Sequence, residues 1–455
     1  MADVLIVGAG LVGSLLSIFL ARLGYAVRVR ERGPDGRTTR RTSARSINLT
    51  LCERGFNALA RVGVADAVRA IVVPARGRII HGVDGSVTFQ PYGNHGEAIY
   101  SVSRNRLNAV LLDHAAAQPH VELRFEEECV GIDWEAGSLQ FASRARGTTS
   151  VESATRVCAS DGAFSRVRFQ CLRRGRVNYS QQYSTQGYKE LSMPATPAGD
   201  WALDPHAVHI WPRRDHMLIA FANVDRTFTC ALHMAYEGHP SYASIRSAED
   251  ARTLFRRSFP DAIDLLPHLE AEFVAHPVNA MVTVRCFPWV FDDWLLLIGD
   301  AAHAIFPSYG QGANAGFEDC RLLADCLQRR DQAWGTALAD YQAARKADAD
   351  AIADLSEAHF YELRDHVGDP RFLLRKEIER RFNQLEPSRF EDLYSMVSFT
   401  TRPYAEALAI GRQQRALVDE ILSVPDCQQK LRFGHLDQRI HDLLHHAAGL
   451  QEDHV

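Results

Sequence analysis

The first apolar stretch of the chain, Asp3-Val4-Leu5-Ile6-Val7, has no polar alternation and predicts a short strand buried on both faces. Gly8-Ala9-Gly10-Leu11-Val12-Gly13 follows and opens an apolar helix that ends near Gly24, and a second strand, Ala26 to Arg30, closes on Glu31. Ser46 to Leu51 is strand-like and leads into a helix from about Gly55 to Val62. Arg78 to Tyr92 predicts two short strands around the turn Val83-Asp84-Gly85-Ser86. A helix begins within Tyr100 to Asn108, with Ser103 placed to cap it. Arg156 to Ser165 is a further strand, ending on Asp161-Gly162. Between residues 180 and 280 the pattern changes to alternation, in Ala207 to Trp211, Met217 to Phe221 and Thr227 to Met234, which predicts antiparallel strands. Leu295 starts one more apolar strand, which stops at Gly299-Asp300. A Gly-rich loop and a helix from near Asn314 come next, and Ala315 to about Asp365 is helical and Ala-rich. Asp369-Pro370, Glu386-Pro387 and Arg402-Pro403 bound a loop region before terminal helices, and the tail from His435 is polar.

Length and charge narrow the classes. A chain of 455 residues divides into two or more domains, and a net charge of −5 provides no basic field for nucleic acid. Arg40-Arg41 and Arg173-Arg174 read as solvated surface. Nine cysteines without metal-ligand spacing indicate a reduced, cytoplasmic protein. The N-terminal residues lack the charged segment and cleavage site of a signal peptide, and no apolar run approaches a membrane span. His445-His446 has no spacing partner, so no metal site is expected.

The first motif carries chemistry. Gly8 permits a tight turn, Gly10 lets the backbone approach a pyrophosphate, and Gly13 lets helix and strand pack closely. Glu31 stands where it can hold a ribose hydroxyl pair. Either FAD or NAD suits this fingerprint. Gly299-Asp300 with Gly310-Gln311-Gly312-Ala313-Asn314 decides between them, because an acid at a strand end and a helix N-terminus together suit the far end of one long cofactor. An FAD would span the two motifs, with its adenine near Glu31 and its flavin near Asn314. Arg104 at a helix start is electrostatically misplaced for the helix alone and favours a cofactor-facing role. His303 is expected to hydrogen-bond within its own loop.

The Gly8–Gly13 motif, Asp161-Gly162 and Gly299-Asp300-Ala301-Ala302-His303 taken together resemble the single-component FAD-dependent aromatic hydroxylases, the family of p-hydroxybenzoate hydroxylase. Ala159 stands where that family usually has the first Gly of Gly-x-Asp-Gly. Within the family the chain is similar, over nearly its whole length, to the branch that hydroxylates kynurenine. Segments that carry this include Arg45 to Leu49, Ile99 to Arg104, Gly187 to Leu191, His209 to Arg213, Asn314 to Cys320 and Tyr394 to Val397.

The resemblance implies an α/β fold: a Rossmann-like FAD-binding domain with an inserted antiparallel-sheet substrate domain and a C-terminal helical region. The segments are 1–70, 98–178 and 286–330 for FAD, 71–97 and 179–285 for the substrate sheet, and 331–455 for the helices. It implies FAD held by Gly8, Gly10, Gly13, Glu31, Arg32, Arg104, Asp161, Asp300, Gly312, Ala313 and Asn314. NADPH would be a transient cosubstrate that visits from solvent, and O2 would be activated as the flavin C4a-hydroperoxide. No side chain is expected to act as acid, base or nucleophile, since the cofactor carries the hard chemistry.

The substrate would be an aromatic amino acid, L-kynurenine or a ring-substituted relative, hydroxylated ortho to its ring amine. Its carboxylate would be held by Arg78, Tyr92 and Tyr394. Around the ring, where Glu362 is kept, the chain departs from the branch through Ser308-Tyr309, Ala313, His359, Leu363, Phe221, and His233 beside Leu232, and these changes mostly put polar groups where apolar bulk is usual. A hydroxylase of an anthranilate- or tryptophan-derived acid, or a non-catalytic flavoprotein, keeps the same cofactor motifs. Oligomeric state stays open.

Overall fold

A computed structural model describes residues 3–38, 47–93, 96–331, 333–366 and 369–452. Arg40-Arg41 and the start of the Ser46 strand lie outside them. The first apolar strand is the centre of a six-stranded sheet ordered Val290–Phe291, Leu295–Leu297, Val157–Ala159, Asp3–Val7, Ala26–Arg30 and Val121–Arg124. Its pairings are parallel except that of Val290–Phe291 with Leu295–Leu297. Val4 to Ile6, Val157 to Ala159 and Leu295 to Leu297 are wholly buried, as strands covered on both faces must be. The strands that stop at Val7, Ala159 and Leu297 therefore present Gly8, Asp161 and Gly299-Asp300 at one edge of the parallel sheet, where α/β folds place ligands.

The second sheet has seven strands, in the order Asn279–Phe287, Asn178–Met193, Phe228–Ala235, Met217–Ala222, Val208–Pro212, Gly77–His81 and Val87–Pro91. All pairings are antiparallel except Val208–Pro212 with Gly77–His81, a departure from the uniform alternation expected. That one parallel step delivers Arg78 and Tyr92 to the same face as Phe221. Period-two alternation divides the sheet. Leu218, Ala220 and Leu232 pack under the helices Ala248–Ser258 and Leu269–Ala275, whereas Met217, Ile219 and Ile80 join Phe306, Phe360 and Tyr92 in a separate cluster on the other side.

Two small sheets complete the strand content. Asn48–Leu51, Ile99–Ser103 and Val73–Ala75 form one of them. Glu128–Asp133, Ser138–Ser143 and Thr148–Ser153 form the other, which sequence patterning misses because Thr148–Ser153 is exposed along most of its length and shows no apolar alternation. Ser103 does sit at the N-cap of the Arg104–Ala116 helix, but its side chain makes no cap hydrogen bond.

The helical stretch after Asn314 is two helices, Gly312–Arg329 and Trp334–Tyr361, the second running on into a π-helical turn, Glu362–His366. The Pro-bounded loop region is corrected: Pro370–Leu385 is a helix. Asp369 accepts from the N–H groups of Arg371 and Phe372, at 2.7 and 3.3 Å, and Pro370 takes the first helical position, where its missing N–H costs nothing. Pro403 likewise precedes the helix Tyr404–Leu422. With Asp437–Glu452 these helices form their own core around Ile378, Phe382, Val418, Ile421 and Ile440. His445 does have a spacing partner, His441 one turn earlier on the same helix, with Glu386 beside both. Among the described residues no helix is long and apolar enough to cross a membrane.

Candidate active site

The turn after the first strand is built around missing side chains. A Cβ on Gly13 would lie 1.9 Å from the Gly8 carbonyl oxygen, and one on Gly8, whose φ is +99°, would lie 2.7 Å from that of Ser160. Gly10 faces open space, with no atom within 4 Å of where its Cβ would be, and no side chain caps the Leu11–Arg22 helix that it begins. Free N–H groups, a positive helix end and a clear approach form a cradle for a diphosphate. The Glu31 carboxylate accepts from Ala9 N and Gly33 N, both at 2.8 Å. Each of its oxygens keeps a lone pair for a ribose hydroxyl. Arg32 is exposed beside it.

The other end of this groove is equally prepared. Asp300 is exposed at the strand end and makes no hydrogen bond or ion pair among the described residues. No side chain caps the Gly312–Arg329 helix, so its first turn offers the backbone N–H groups of Gly312, Ala313 and Asn314. The Asn314 side chain is spent within the protein: it accepts from Cys52 N at 3.0 Å and donates to Thr50 O and Gly310 O, both at 2.8 Å. Arg104 is exposed at its helix start with no carboxylate partner among the described residues. These unused donors, acids and open spaces fit an extended flavin nucleotide.

Asp161 also serves its own turn. It accepts from the Ser165 hydroxyl at 2.5 Å and from Val167 N at 3.2 Å, and burial raises its carboxyl above the ordinary value against the pull of those bonds. Arg168, a residue the sequence does not single out, is wholly buried and donates to Ala301 O at 2.9 Å and to Ala163 O at 2.6 Å, joining this turn to the Gly-Asp loop.

Behind that loop lies a buried charge cluster that motif reading also missed. His303 donates its backbone N–H to Gly299 O at 2.9 Å within the loop, and its ring reaches the next helix, where it pairs with Asp319 at 2.7 Å. Asp319 also meets Arg345 at 2.6 Å and accepts from Gly299 N at 3.3 Å. Arg345 continues to Glu318 at 2.8 Å, and Glu318 to Arg54 at 2.6 Å. Burial alone would raise the Asp319 carboxyl, but His303 and Arg345 hold it down to about 2.

Tyr309, immediately before Gly310, forms the boundary with a cavity of about 760 Å³. Arg78, Tyr92, His359, Glu362 and Tyr394 share its walls. The rings of Tyr92 and Tyr394 stack at 5.2 Å and 12°, those of Tyr394 and Tyr309 at 5.4 Å and 18°. The Arg78 guanidinium lies over both Tyr92 and Tyr394, 5.2 and 5.0 Å from their centroids. It is 9% exposed, and among the described residues no carboxylate forms an ion pair with it. Burial pulls its pKa down, yet the two phenols and Glu362 carry it above the ordinary value.

Arg78 Nη2 stands 3.2 Å from His359 Nε2. A guanidinium only donates, so this nitrogen accepts and the imidazole proton sits on Nδ1, 3.5 Å from Glu362 Oε1. Burial and the Arg78 charge lower the His359 pKa, with Glu362 opposing, so the ring is neutral. Burial would raise the Glu362 carboxyl, but His359, Lys376 and Arg78 hold it well below the usual range.

Three expected wall residues stand farther back. Ser308 donates to Ser356 O at 2.5 Å, which ties the loop to the Trp334–Tyr361 helix. Phe221 packs in the apolar cluster that holds Tyr92 and Tyr394. His233 is buried between Tyr188 and Phe360, at ring distances of 5.5 and 5.9 Å. In their place the Pro370–Leu385 helix supplies Phe372, Lys376, Glu379 and Arg380 to the cavity wall, residues hidden in the sequence because the flanking prolines give that segment the pattern of a loop.

Residues 1–356 match the family described as FAD binding domain. The crystal structure of 2-methyl-3-hydroxypyridine-5-carboxylic acid oxygenase shares the fold at a TM-score of 0.67 and 19% identity, over 82% of this chain and 96% of that one. PqsL from P. aeruginosa, solved in complex with 2-aminobenzoylacetate, does so at 0.63 and 21%, over 80% and 97%. Fold, cradle and cavity together are those of a flavin-dependent monooxygenase.

Full-length relatives narrow the assignment. Kynurenine 3-monooxygenase of Flavobacterium psychrophilum is 44% identical over 439 residues, 96% of this chain and 98% of its own. The enzyme of that name from Salinispora tropica is 43% identical over 90% and 91%, and that from Dictyostelium discoideum 37% over 92% and 93%. The chain belongs to the kynurenine 3-monooxygenase family.

Proposed function

We propose that the protein hydroxylates L-kynurenine, or a kynurenine bearing a ring substituent, ortho to its ring amine, consuming NADPH and O2. The observation that carries this reading is Arg78: a buried cation between two tyrosines, in a cavity, without a carboxylate of its own. A guanidinium fork and two phenol donors suit an amino-acid carboxylate, and the buried setting makes those bonds strong. Stacked Tyr92, Tyr394 and Tyr309 direct the rest of the ligand toward the Gly310–Asn314 loop. Glu362, held ionised, offers an acceptor for the ammonium group.

FAD, when bound, would be held by Glu31 and the first turn of the Gly312–Arg329 helix and would supply the activated oxygen. The chain's own residues bind, orient and exclude water. The substrate's amine already directs electrophilic attack to the neighbouring ring carbon, so no acid or base is required from the cavity wall, and the basic Nε2 of neutral His359 is engaged by Arg78. The polar pair Tyr309 and His359 favours a ring that carries a hydrogen-bonding group, which is why substituted kynurenines remain in the reading.

The test is NADPH oxidation by the FAD-loaded protein with L-kynurenine, its ring-substituted forms and anthranilate, with product analysis. Stoichiometric formation of the product hydroxylated ortho to the amine is expected for a kynurenine. Peroxide release without hydroxylated product from every kynurenine would overturn the assignment.

A further inference from the structure

The C-terminal helix Asp437–Glu452 meets the end of the Pro370–Leu385 helix in a group of side chains that the monooxygenase reaction does not use. Glu386 follows Leu385 and turns its carboxylate toward that helix. His441 Nδ1 lies 2.8 Å from Glu386 Oε1, and His445 Nε2 lies 3.8 Å from the same oxygen. The three ligand atoms all fall within 4.8 Å of one another. His441 and His445, four residues apart, stand one above the other on one helical face.

A carboxylate forming a simple ion pair needs one imidazole. Here two imidazoles converge on one oxygen, and neither direction is dictated by the core, because Ile440 and Leu444 supply the buried face of the helix. The backbone on both sides is held independently by the ion pairs of Arg381 with Asp437 and of Arg439 with Glu420. The donors are therefore brought together by elements fixed without them, as a metal site requires.

We propose that Glu386, His441 and His445 bind one divalent transition ion of the Zn2+ type, with solvent at the remaining position. Two neutral imidazoles and one carboxylate form a donor set that Zn2+ takes with three protein ligands and a water, and this nitrogen-rich set disfavours Mg2+ and Ca2+. His445 has 56% of its side chain exposed, which leaves the open coordination position facing solvent. The ion would clamp the C-terminal helix to the end of the helix whose Lys376, Glu379 and Arg380 line the cavity. Its role is to stiffen that wall, not to enter the oxygen chemistry.

The test uses the full-length, FAD-loaded protein, stripped by a chelator, desalted and titrated calorimetrically with ZnCl2. One saturable equivalent is expected, together with a rise in Tm. His445→Ala and the double variant His441→Ala/His445→Ala should weaken binding by more than about tenfold, since even outer partners of a metal matter on that scale. Glu386→Gln should do the same, and the Zn2+-induced rise in Tm should vanish in each. Unchanged flavin absorbance in His445→Ala shows that the fold is retained. Absence of a one-to-one isotherm in the wild type, or an equal isotherm in the double variant, overturns the proposal.

Discussion

Replacing Arg78 by Met tests the substrate handle through two measurements that should respond unequally. Met keeps most of the side-chain volume but removes the cation. In the free protein the guanidinium is 9% exposed, with neutral His359 3.2 Å away, and Tyr92, Tyr394 and Glu362 together outweigh its burial. Removing it should change folding stability by no more than about 1–2 kcal/mol, because the desolvation relieved and the Glu362 attraction lost have opposite signs. The bound substrate has no such compensation. Its carboxylate would lose charge-assisted bonds worth about 1.5–3 kcal/mol each and keep only the Tyr92 and Tyr394 hydroxyls. Allowing for non-additivity, the loss is about 3–4 kcal/mol, or roughly 100- to 1,000-fold in affinity. The assay is the Kd from perturbation of the flavin spectrum on adding L-kynurenine, alongside a urea-unfolding curve and the flavin-to-protein absorbance ratio. A Kd within about threefold of wild type would refute the carboxylate assignment. So would a weakened Kd accompanied by lost flavin or by a stability loss of more than about 2 kcal/mol, since that pattern marks a structural residue.

Asp300→Ala should yield protein depleted of FAD after gel filtration, weaker by about one to two orders of magnitude if one charge-assisted bond is lost; an unchanged absorbance ratio would contradict the cofactor seat. Asp319→Asn leaves Arg345 and His303 without their shared carboxylate in a fully buried site and should cost about 3–5 kcal/mol in urea unfolding. The Asp319 pKa is depressed to about 2 in the fold, so its contribution is complete above about pH 4 and is lost only as pH falls toward 2. The deficit in Asp319→Asn should therefore be the same at pH 5 and pH 7. His233 is buried and lowered to about 4, by burial alone, which favours its neutral form. Its contribution to stability is complete above about pH 6.5 and falls away as pH drops toward 4. His233→Phe should flatten the stability profile across that window, measured by urea unfolding from pH 7 to 4.5; an unaltered slope would show that another group controls it.

Much of the architecture can be read from the chain because its physical demands are local. A buried parallel strand needs an unbroken apolar run, and a Cβ on Gly13 would collide with the Gly8 carbonyl oxygen at 1.9 Å, so both leave direct marks in the residue types. The stacked Tyr92 and Tyr394 come from residues far apart in the chain, and only likeness to a family joined them beforehand. Other features leave weaker marks. Thr148–Ser153 pairs through its backbone while its side chains face water, so no apolar period reveals it. The Asp369-Pro370 step carries both an N-cap with Pro at the first helical position and the ordinary signature of a loop, and residue types alone do not separate the two. Asp319, Glu318 and Arg345 are polar residues inside helices, a pattern that ordinarily denotes exposure. Their burial follows from tertiary packing alone.

The Trp334–Tyr361 helix carries Arg345, which supports the cofactor loop through Asp319, and His359, which touches the substrate handle. Fourteen residues separate them, about 21 Å along a helix at 1.5 Å per residue. One continuous rod thus sets the spacing between the Gly299 loop and Arg78. For protein engineering this separates two jobs along one element. Under the proposed function, libraries at His359 and the facing Tyr309 should retune which aromatic ring is accepted while the Arg345 end of the helix stays intact.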